Sequence, residues 1–404
     1  MSTPTTVPGS VASFDWPDTI AGLLRREHLS STVAAAALGE MVGDRATPAQ
    51  AAGFLIALRA KGETPGEVAA LLGALLSHAV PLPLNEPPAA GSLAVRLAAG
   101  SGSAGSGSTG SGSPLSSRLL DTCGTGGDRH GTVNVSTAAA IVCAASGVRV
   151  LKHGNRAASS QAGSADVLEA LGVAVDLGAS AVAACLSELG IGFAMAPLFH
   201  PSLRHLGPVR RQLGVPTVVN VLGPLANPGH PTAQVVGVAD RLLAPVVAAV
   251  LAERGSSALV VRGEDGLDEW ATTTTTHVWV VGDGRVGLVK IEPEQVLLNG
   301  VPLRRATLAD LRGGDPEHNA ARLRALFAGE QGAVREVVLL NAAAGMLAAT
   351  GVGDLVGLDG SVDAAGLLAR LAEHATAAAT AVDSGAAQAL LERWVSFSQE
   401  LRAG

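Results

Sequence analysis

Tyrosine is absent from the 404 residues, and the other aromatics amount to four Trp and six Phe. So few flat rings leave little to stack on nucleic-acid bases. A strongly basic run is missing too, and the formal charge is −7, which removes the electrostatic footprint that a phosphate backbone requires. Cysteine is scarce: Cys123, Cys143 and Cys185 show no metal-ligand spacing and cannot all pair. They read as small core residues of a protein from a reducing compartment. The first residues, MSTPTTVPGSVAS, carry neither positive charge nor an apolar core, so no secretory signal is expected. The longest apolar run, Leu242–Ala252, is far shorter than a membrane span. A soluble cytoplasmic protein with no membrane or nucleic-acid partner is the expectation.

What remains is a chain rich in alanine and glycine, 48% apolar, and long enough for a large core and two or three domains. Residues 1–13 are polar and expected to be disordered. Residues 14–82 read as a small helical domain of about four short amphipathic helices without strands. Thr47-Pro48-Ala49-Gln50 and Thr64-Pro65-Gly66-Glu67 each combine a Thr cap, Pro at the first helical position and a reciprocating Gln or Glu. Residues 83–114 hold Pro83, Pro87 and Pro88, then GSGSAGSGSTGSGSP from Gly100 to Pro114. Such a run behaves as flexible coil spanning on the order of 20 Å. From 115 to 404, strands and helices alternate, which predicts an α/β domain with a mostly parallel sheet and helices on its faces. Candidate strands are 119–122, 148–152, 173–176, 217–221, 234–238, 258–262 and 336–340. A hairpin of 278–281 and 286–291 turns at Gly282-Asp283-Gly284. The β-forming run Thr272–Thr276 also reads as strand.

Residues 121–166 organise the chain. Gly124-Thr125-Gly126-Gly127-Asp128 follows the first strand directly, where glycines let backbone N–H groups approach a ligand. Asn134-Val135-Ser136-Thr137 opens the alanine-rich helix at 138–145, an anion site by its free N–H groups and dipole. The next strand delivers Lys152-His153-Gly154-Asn155-Arg156, then Ser159-Ser160. Lysine is rare here, three of the 28 basic residues, and a compact ammonium suits a phosphate as a point charge. Two anion-binding turns and a cationic one on the same sheet edge suit a substrate with more than one phosphate.

GTGGD, NVST and KHGNRAASS, in this order and spacing, resemble the anthranilate phosphoribosyltransferase family. The likeness continues through HPSLRHLGPVRRQLGVPTVVNVLGPLANP and GLDEWATTT to the last helix. It implies a Mg²⁺-dependent pentosyltransferase of tryptophan biosynthesis, a homodimer whose helical domain is joined by helices near 200–212. Phosphoribosyl pyrophosphate would be held first by Gly124, Gly127, Asp128 and Thr132, with Asn134, Val135, Ser136 and Thr137 at the helix start. Lys152, His153, Gly154, Asn155 and Arg156 would follow along the second turn. Ala157, Ala158, Ser159, Ser160 and Ser164 would complete that contact. Arg210 would grip the anthranilate carboxylate, as a planar guanidinium can, beside Asn155 and Gly124. His153 and His200 match positions near that substrate. Asp268, Glu269 and Ser136 match Mg²⁺ ligands, and no residue is assigned as general acid or base.

Three features depart from the family pattern: the long Gly/Ser stretch, Cys123 where an aliphatic residue is common, and Arg129 where glycine is usual. Rival readings fare worse. The KHSTGG-like phosphate signature of pyrimidine nucleoside phosphorylases is absent, and a nucleic-acid-binding relative would need a basic surface. A purely structural protein leaves two phosphate turns and a carboxylate pair unexplained.

Overall fold

The computed structural model describes residues 14–84, 117–157 and 161–403. The expectations for residues 1–13 and for the Gly/Ser run 100–114 lie outside the described residues, as do Ala158, Ser159 and Ser160.

Four helices open the described chain: α1 (Trp16–Leu24), α2 (Ser31–Val42), α3 (Pro48–Lys61) and α4 (Pro65–Ser77). Both anticipated capping boxes form, so Thr47 and Gln50, and likewise Thr64 and Glu67, satisfy each other's backbone N–H groups. Glu67 also accepts from Leu29 N and from Lys61 Nζ at 2.8 Å, which ties the start of α4 to the end of α3 and the loop before α2. Phe54 is wholly buried against the edge of Trp16, a burial that stabilises by about 1.5–3 kcal/mol. This helical core does not stop at residue 77. It continues through Leu206 and Val209, then Val219 and Leu222, to Val236, Val260 and Val281 on one face of the sheet.

The sheet has seven strands in the order β3-β2-β1-β4-β5-β6-β7. These are β1 (Leu119–Gly124), β2 (Arg149–Gly154), β3 (Ile191–Met195), β4 (Ala233–Gly237), β5 (Ser257–Gly263), β6 (Thr276–Gly282) and β7 (Arg285–Ile291). β1 to β5 are parallel, and β6 and β7 add an antiparallel edge. The chain runs outward from β1 to β3, then returns to place β4 on the other side of β1. That reversal makes the carboxyl ends of β1 and β4, Gly124 opposite Gly237, the switch point where open α/β sheets hold ligands.

Four sequence expectations are corrected. Residues 173–176 are irregular: Val173 and Val175 are buried, but Ala174 N donates to Ser398 Oγ rather than to a strand. Residues 217–221 run into the helix Val219–Leu225, and 336–340 lie inside the helix Ala333–Thr350. Both are buried on nearly every side, so a helical period in the hydrophobicity is erased. Thr272–Thr275 form a loop stitched by hydroxyl and carbonyl bonds, and only Thr276 belongs to β6. The strand at 191–195 went unread because IGFAM is short and interrupted by glycine. Ala333–Thr350 is long and apolar enough to cross a bilayer by composition, yet 83% of it is buried within the fold.

Candidate active site

The first turn leaves β1 through left-handed backbone at Gly126 (φ 66°), Gly127 (φ 85°), Arg129 (φ 63°) and Gly131 (φ 64°). Glycine adopts this region freely, whereas Arg129 does so at a cost of about 1–2 kcal/mol. This explains why Arg129 stands out where glycine is usual. Arg129→Gly is expected to stabilise the fold by about 0.5–1 kcal/mol after glycine's larger unfolded-state entropy is deducted. The urea midpoint measures it, and a lower midpoint refutes it.

Asn134 precedes the helix α5 (Val135–Ala145) without capping it. Its side chain instead donates to Ala162 O at 3.1 Å and accepts from Asn319 Nδ2 at 2.9 Å. The first turn of α5 is thereby left open to the cavity, where Ser136 N donates to Glu269 Oε1 at 3.3 Å. The Thr137 hydroxyl is buried with no partner among the described residues. Val135 is buried in the core, so it can serve the site through backbone alone.

Lys152, expected to offer its ammonium to a phosphate, is 2% exposed. Its ammonium donates to Thr122 O at 2.6 Å and Ser136 Oγ at 3.2 Å, leaving one of three donors uncommitted. Below it, the buried Asp121 accepts from His153 N and Asn227 Nδ2. Burial pushes its carboxyl up to about 6, against the pull of Lys152.

His153 is buried with its ring edge-on to His200, centroids 5.3 Å apart. Its Nδ1 meets Gly223 O at 3.1 Å, and its Nε2 has no partner among the described residues. Burial, then the neighbouring His200, lower its pKa to about 3. Between that value and 6.5 the unfolded chain binds the extra proton. Stability from this group is therefore complete above pH 6.5 and declines as pH falls towards 3. We expect the His153 ring to show no titration by NMR between pH 5 and 8, and a midpoint near 6.5 would refute this. His200 lies behind His153, its Nε2 against Ala226 O at 2.6 Å, and does not line the cavity. Neither ring is placed as a base.

Arg156 reaches the cavity rim, but its guanidinium is held by Asp166 and Glu169. Arg210 differs. It sits in the helix Leu206–Leu213, whose Leu206 and Val209 anchor in the helical core. Its guanidinium has no hydrogen-bond or ion-pair partner among the described residues, and burial lowers its pKa. A half-buried, unpaired guanidinium is an expensive arrangement unless an anion completes it.

Asp268 and Glu269 lie in the loop after β5. Gly126 N donates to Asp268 Oδ2 at 2.7 Å. A Cβ on Gly124 would fall 2.3 Å from that oxygen, and one on Gly237 would fall 1.6 Å from Asp268 O. Two glycines at paired strand ends thus let the acidic loop rest on the sheet edge. Burial first, then Asp128, pushes the Asp268 carboxyl up to about 7, and burial first, then Asp268, pushes Glu269 well up against the pull of Lys152. Among the described residues no group of three His, Cys, Asp or Glu side chains could hold a metal. Two crowded carboxylates near the Ser136 hydroxyl nevertheless form an all-oxygen set with excess negative charge. That fits Mg²⁺, which takes one or two carboxylates and completes its shell with water and phosphate oxygens.

These groups line one cavity of about 310 Å³. It gathers Gly124, Gly127, Asp128 and Thr132 from the first turn, and Asn134, Ser136 and Thr137 from the helix start. Lys152, His153, Gly154, Asn155, Ala157 and Ser164 join from the second turn, with Arg210, Asp268 and Glu269. The sequence reading overlooked Asn220, which also lines the cavity, and Asn319, Asn227 and Gly237, which brace it. A lone Asn or Gly carries no signal of a partner as far along the chain as Asn134 is from Asn319.

Two family models match the chain: "Glycosyl transferase family, helical bundle domain" over 17–79 and "Glycosyl transferase family, a/b domain" over 116–388. An anthranilate phosphoribosyltransferase of Salinispora arenicola is 48% identical over 387 residues, covering 96% of this chain and 98% of the relative. The crystal structure of the Thermus thermophilus enzyme of that name superposes with a TM-score of 0.76 at 39% identity, covering 95% and 99% of the two chains. The Saccharomyces cerevisiae enzyme in complex with PRPP and Mg gives 0.74 at 26% identity, covering 95% and 98%. With that likeness along nearly its whole length, this chain belongs to the anthranilate phosphoribosyltransferase family.

Proposed function

We propose that the protein transfers the phosphoribosyl group of 5-phosphoribosyl 1-pyrophosphate to the amine of anthranilate, giving N-(5-phosphoribosyl)anthranilate and pyrophosphate in L-tryptophan biosynthesis. The observation that carries this reading is the pairing, in one cavity, of an open phosphate cradle with an unpaired guanidinium. The first turn, the start of α5 and Lys152 offer N–H groups and a fixed charge to the sugar phosphates. Arg210 offers its fork to the carboxylate of the aromatic acid, with Asn155 beside it.

The leaving group is a highly charged pyrophosphate, so the main demand is for positive charge as the C1–O bond breaks. Mg²⁺ bound through Asp268, Glu269 and Ser136 would supply charge neutralisation there. Lys152, fixed by Thr122 and Ser136, adds a preorganised cation. The amine of anthranilate is neutral and can attack an oxocarbenium-like carbon without first losing a proton. Positioning by Arg210 and Asn155 therefore replaces a general base, which agrees with two histidines buried against backbone carbonyls.

The domain division at 14–82 and 115–404 belongs to the same reading. So do a homodimer, a cytoplasmic location, and no nucleic-acid or membrane partner. The cavity lies where Arg210 of the helical core meets the sheet edge, so closure of one unit on the other accompanies turnover.

The test is loss of anthranilate fluorescence on mixing protein, 5-phosphoribosyl 1-pyrophosphate and Mg²⁺, with EDTA as control. Loss that requires all three supports the reading. No loss from folded protein at any Mg²⁺ concentration overturns it.

A further inference from the structure

The buried run Val337–Ala349 of the long central helix contains one side chain with polar function, Asn341, which is 2% exposed. A buried amide in an apolar run is costly unless its donors and acceptor are used. Here the acceptor and one donor are used on a single residue. Asn341 Oδ1 accepts from Trp270 N at 3.0 Å, and Asn341 Nδ2 donates to Trp270 O at 3.0 Å. The second Nδ2 proton goes to Val337 O, one turn back, at 2.8 Å. The side chain thus reads both backbone polar groups of the residue that follows Asp268 and Glu269.

We infer that Asn341 is a positioning residue for the carboxylate pair, holding the acidic loop in its cation-binding shape before any ligand arrives. The inference rests on the proposed function and adds a residue to it. Asp268 and Glu269, with Asp128 near them, crowd three carboxyls together, and ionising the pair to bind a cation sets like charges against each other, so something must hold the loop against that repulsion. The shoulders of the loop are fixed locally: Gly263 N donates to Leu267 O, and Ala271 N donates to Thr276 Oγ1. Its base rests on Gly124 and Gly237, where a Cβ would collide with Asp268. Among the described residues, only Asn341 grips the backbone beside the two carboxylates from outside the loop.

The helix is placed for this. Gly345, four residues on and so on the same face, comes so close to Cys143 and Leu120 that a Cβ there would fall 2.8 Å from the Cys143 sulfur. A larger residue would lift this face from α5 and β1, and the amide would lose Trp270. Trp270 itself is fully buried, so the anchored backbone cannot swing outward without dragging an indole from the core.

The experiment uses the full chain and two variants, Asn341→Asp, which can still accept from Trp270 N, and Asn341→Leu, which makes neither bond. Mn²⁺ affinity is read by electron paramagnetic resonance in the presence of pyrophosphate, beside steady-state kinetics. Loss of a group that orients metal ligands weakens metal binding by about 10–100-fold. We expect that loss for Asn341→Leu and a smaller one for Asn341→Asp, with the anthranilate KM within about twofold of wild type for both. A merely structural role would lower the melting temperature and leave Mn²⁺ affinity unchanged, which overturns the inference. The wild type provides a test independent of either variant folding. In ligand-free protein the Trp270 amide should exchange with solvent only as slowly as the buried helix does. Fast exchange that slows only on adding Mn²⁺ and pyrophosphate would show that the loop is ordered by ligand and not by Asn341. An inactive wild type with a protected Trp270 amide would refute the proposed function and not the clamp.

Discussion

Replacing Arg210 with alanine is expected to raise the anthranilate KM about 100-fold, with the KM for 5-phosphoribosyl 1-pyrophosphate within about twofold of wild type. A charge-assisted bidentate pair in a partly desolvated cavity contributes roughly 3 kcal/mol, which corresponds to about that factor. Arg210 has no partner to lose among the described residues, so truncation orphans none of them. Removing an uncompensated, half-buried cation should even raise the melting temperature slightly. Arg210→Lys should recover only part of the affinity, because an ammonium cannot meet both oxygens of a carboxylate in one plane. Steady-state kinetics with each substrate varied in turn gives the split. An equal rise in both KM values would mean that Arg210 serves the cavity as a whole rather than the carboxylate.

Asp268→Asn and Glu269→Gln are expected to lower kcat/KM by about 1,000-fold each, the equivalent of roughly 4 kcal/mol of charge stabilisation at the leaving pyrophosphate. Both substitutions are close to isosteric, and an amide oxygen can still accept from Gly126 N or Ser136 N, so the loop geometry should persist. They also remove one negative charge from a crowded group whose carboxyls are pushed up by burial first, then by Asp128 at Asp268 and by Asp268 at Glu269. The folded state should therefore become more stable near neutral pH as activity collapses. Calorimetry paired with the fluorescence assay measures both. Loss of activity together with lost stability would point to a structural role for the loop, and retained activity would remove the pair from the mechanism.

Much of the fold could be read locally. The two Thr-Pro capping boxes announced α3 and α4 because every interaction they use lies within four residues. The hairpin of β6 and β7 was legible for the same reason, since Asp283 (φ 52°) and Gly284 (φ 72°) supply the two left-handed positions of its turn. Failure came where burial was complete. In Ala333–Thr350 and Val219–Leu225, apolar residues face protein all round, and nothing in the pattern separates helix from strand.

The site divides along the same line. Gly124 to Asp128, Asn134 to Thr137 and Lys152 to Arg156 are contiguous runs whose residue types state their chemistry, so the sequence alone pointed to the stretches that line the cavity and, through family likeness, to the family. What it could not supply is who holds those residues in place. Lys152 proved buried between Thr122 and Ser136, Arg156 was taken by Asp166 and Glu169, and Asn134 was turned aside by Asn319. The acidic loop came to rest on Gly237 and against Asn341. Apart from the Arg156 pairs, 10 and 13 residues apart, these partnerships join residues that only tertiary packing brings together. A cap or a turn is decided by neighbours along the chain, whereas a buried amide or a glycine under a loop has its meaning set by what the fold puts across from it.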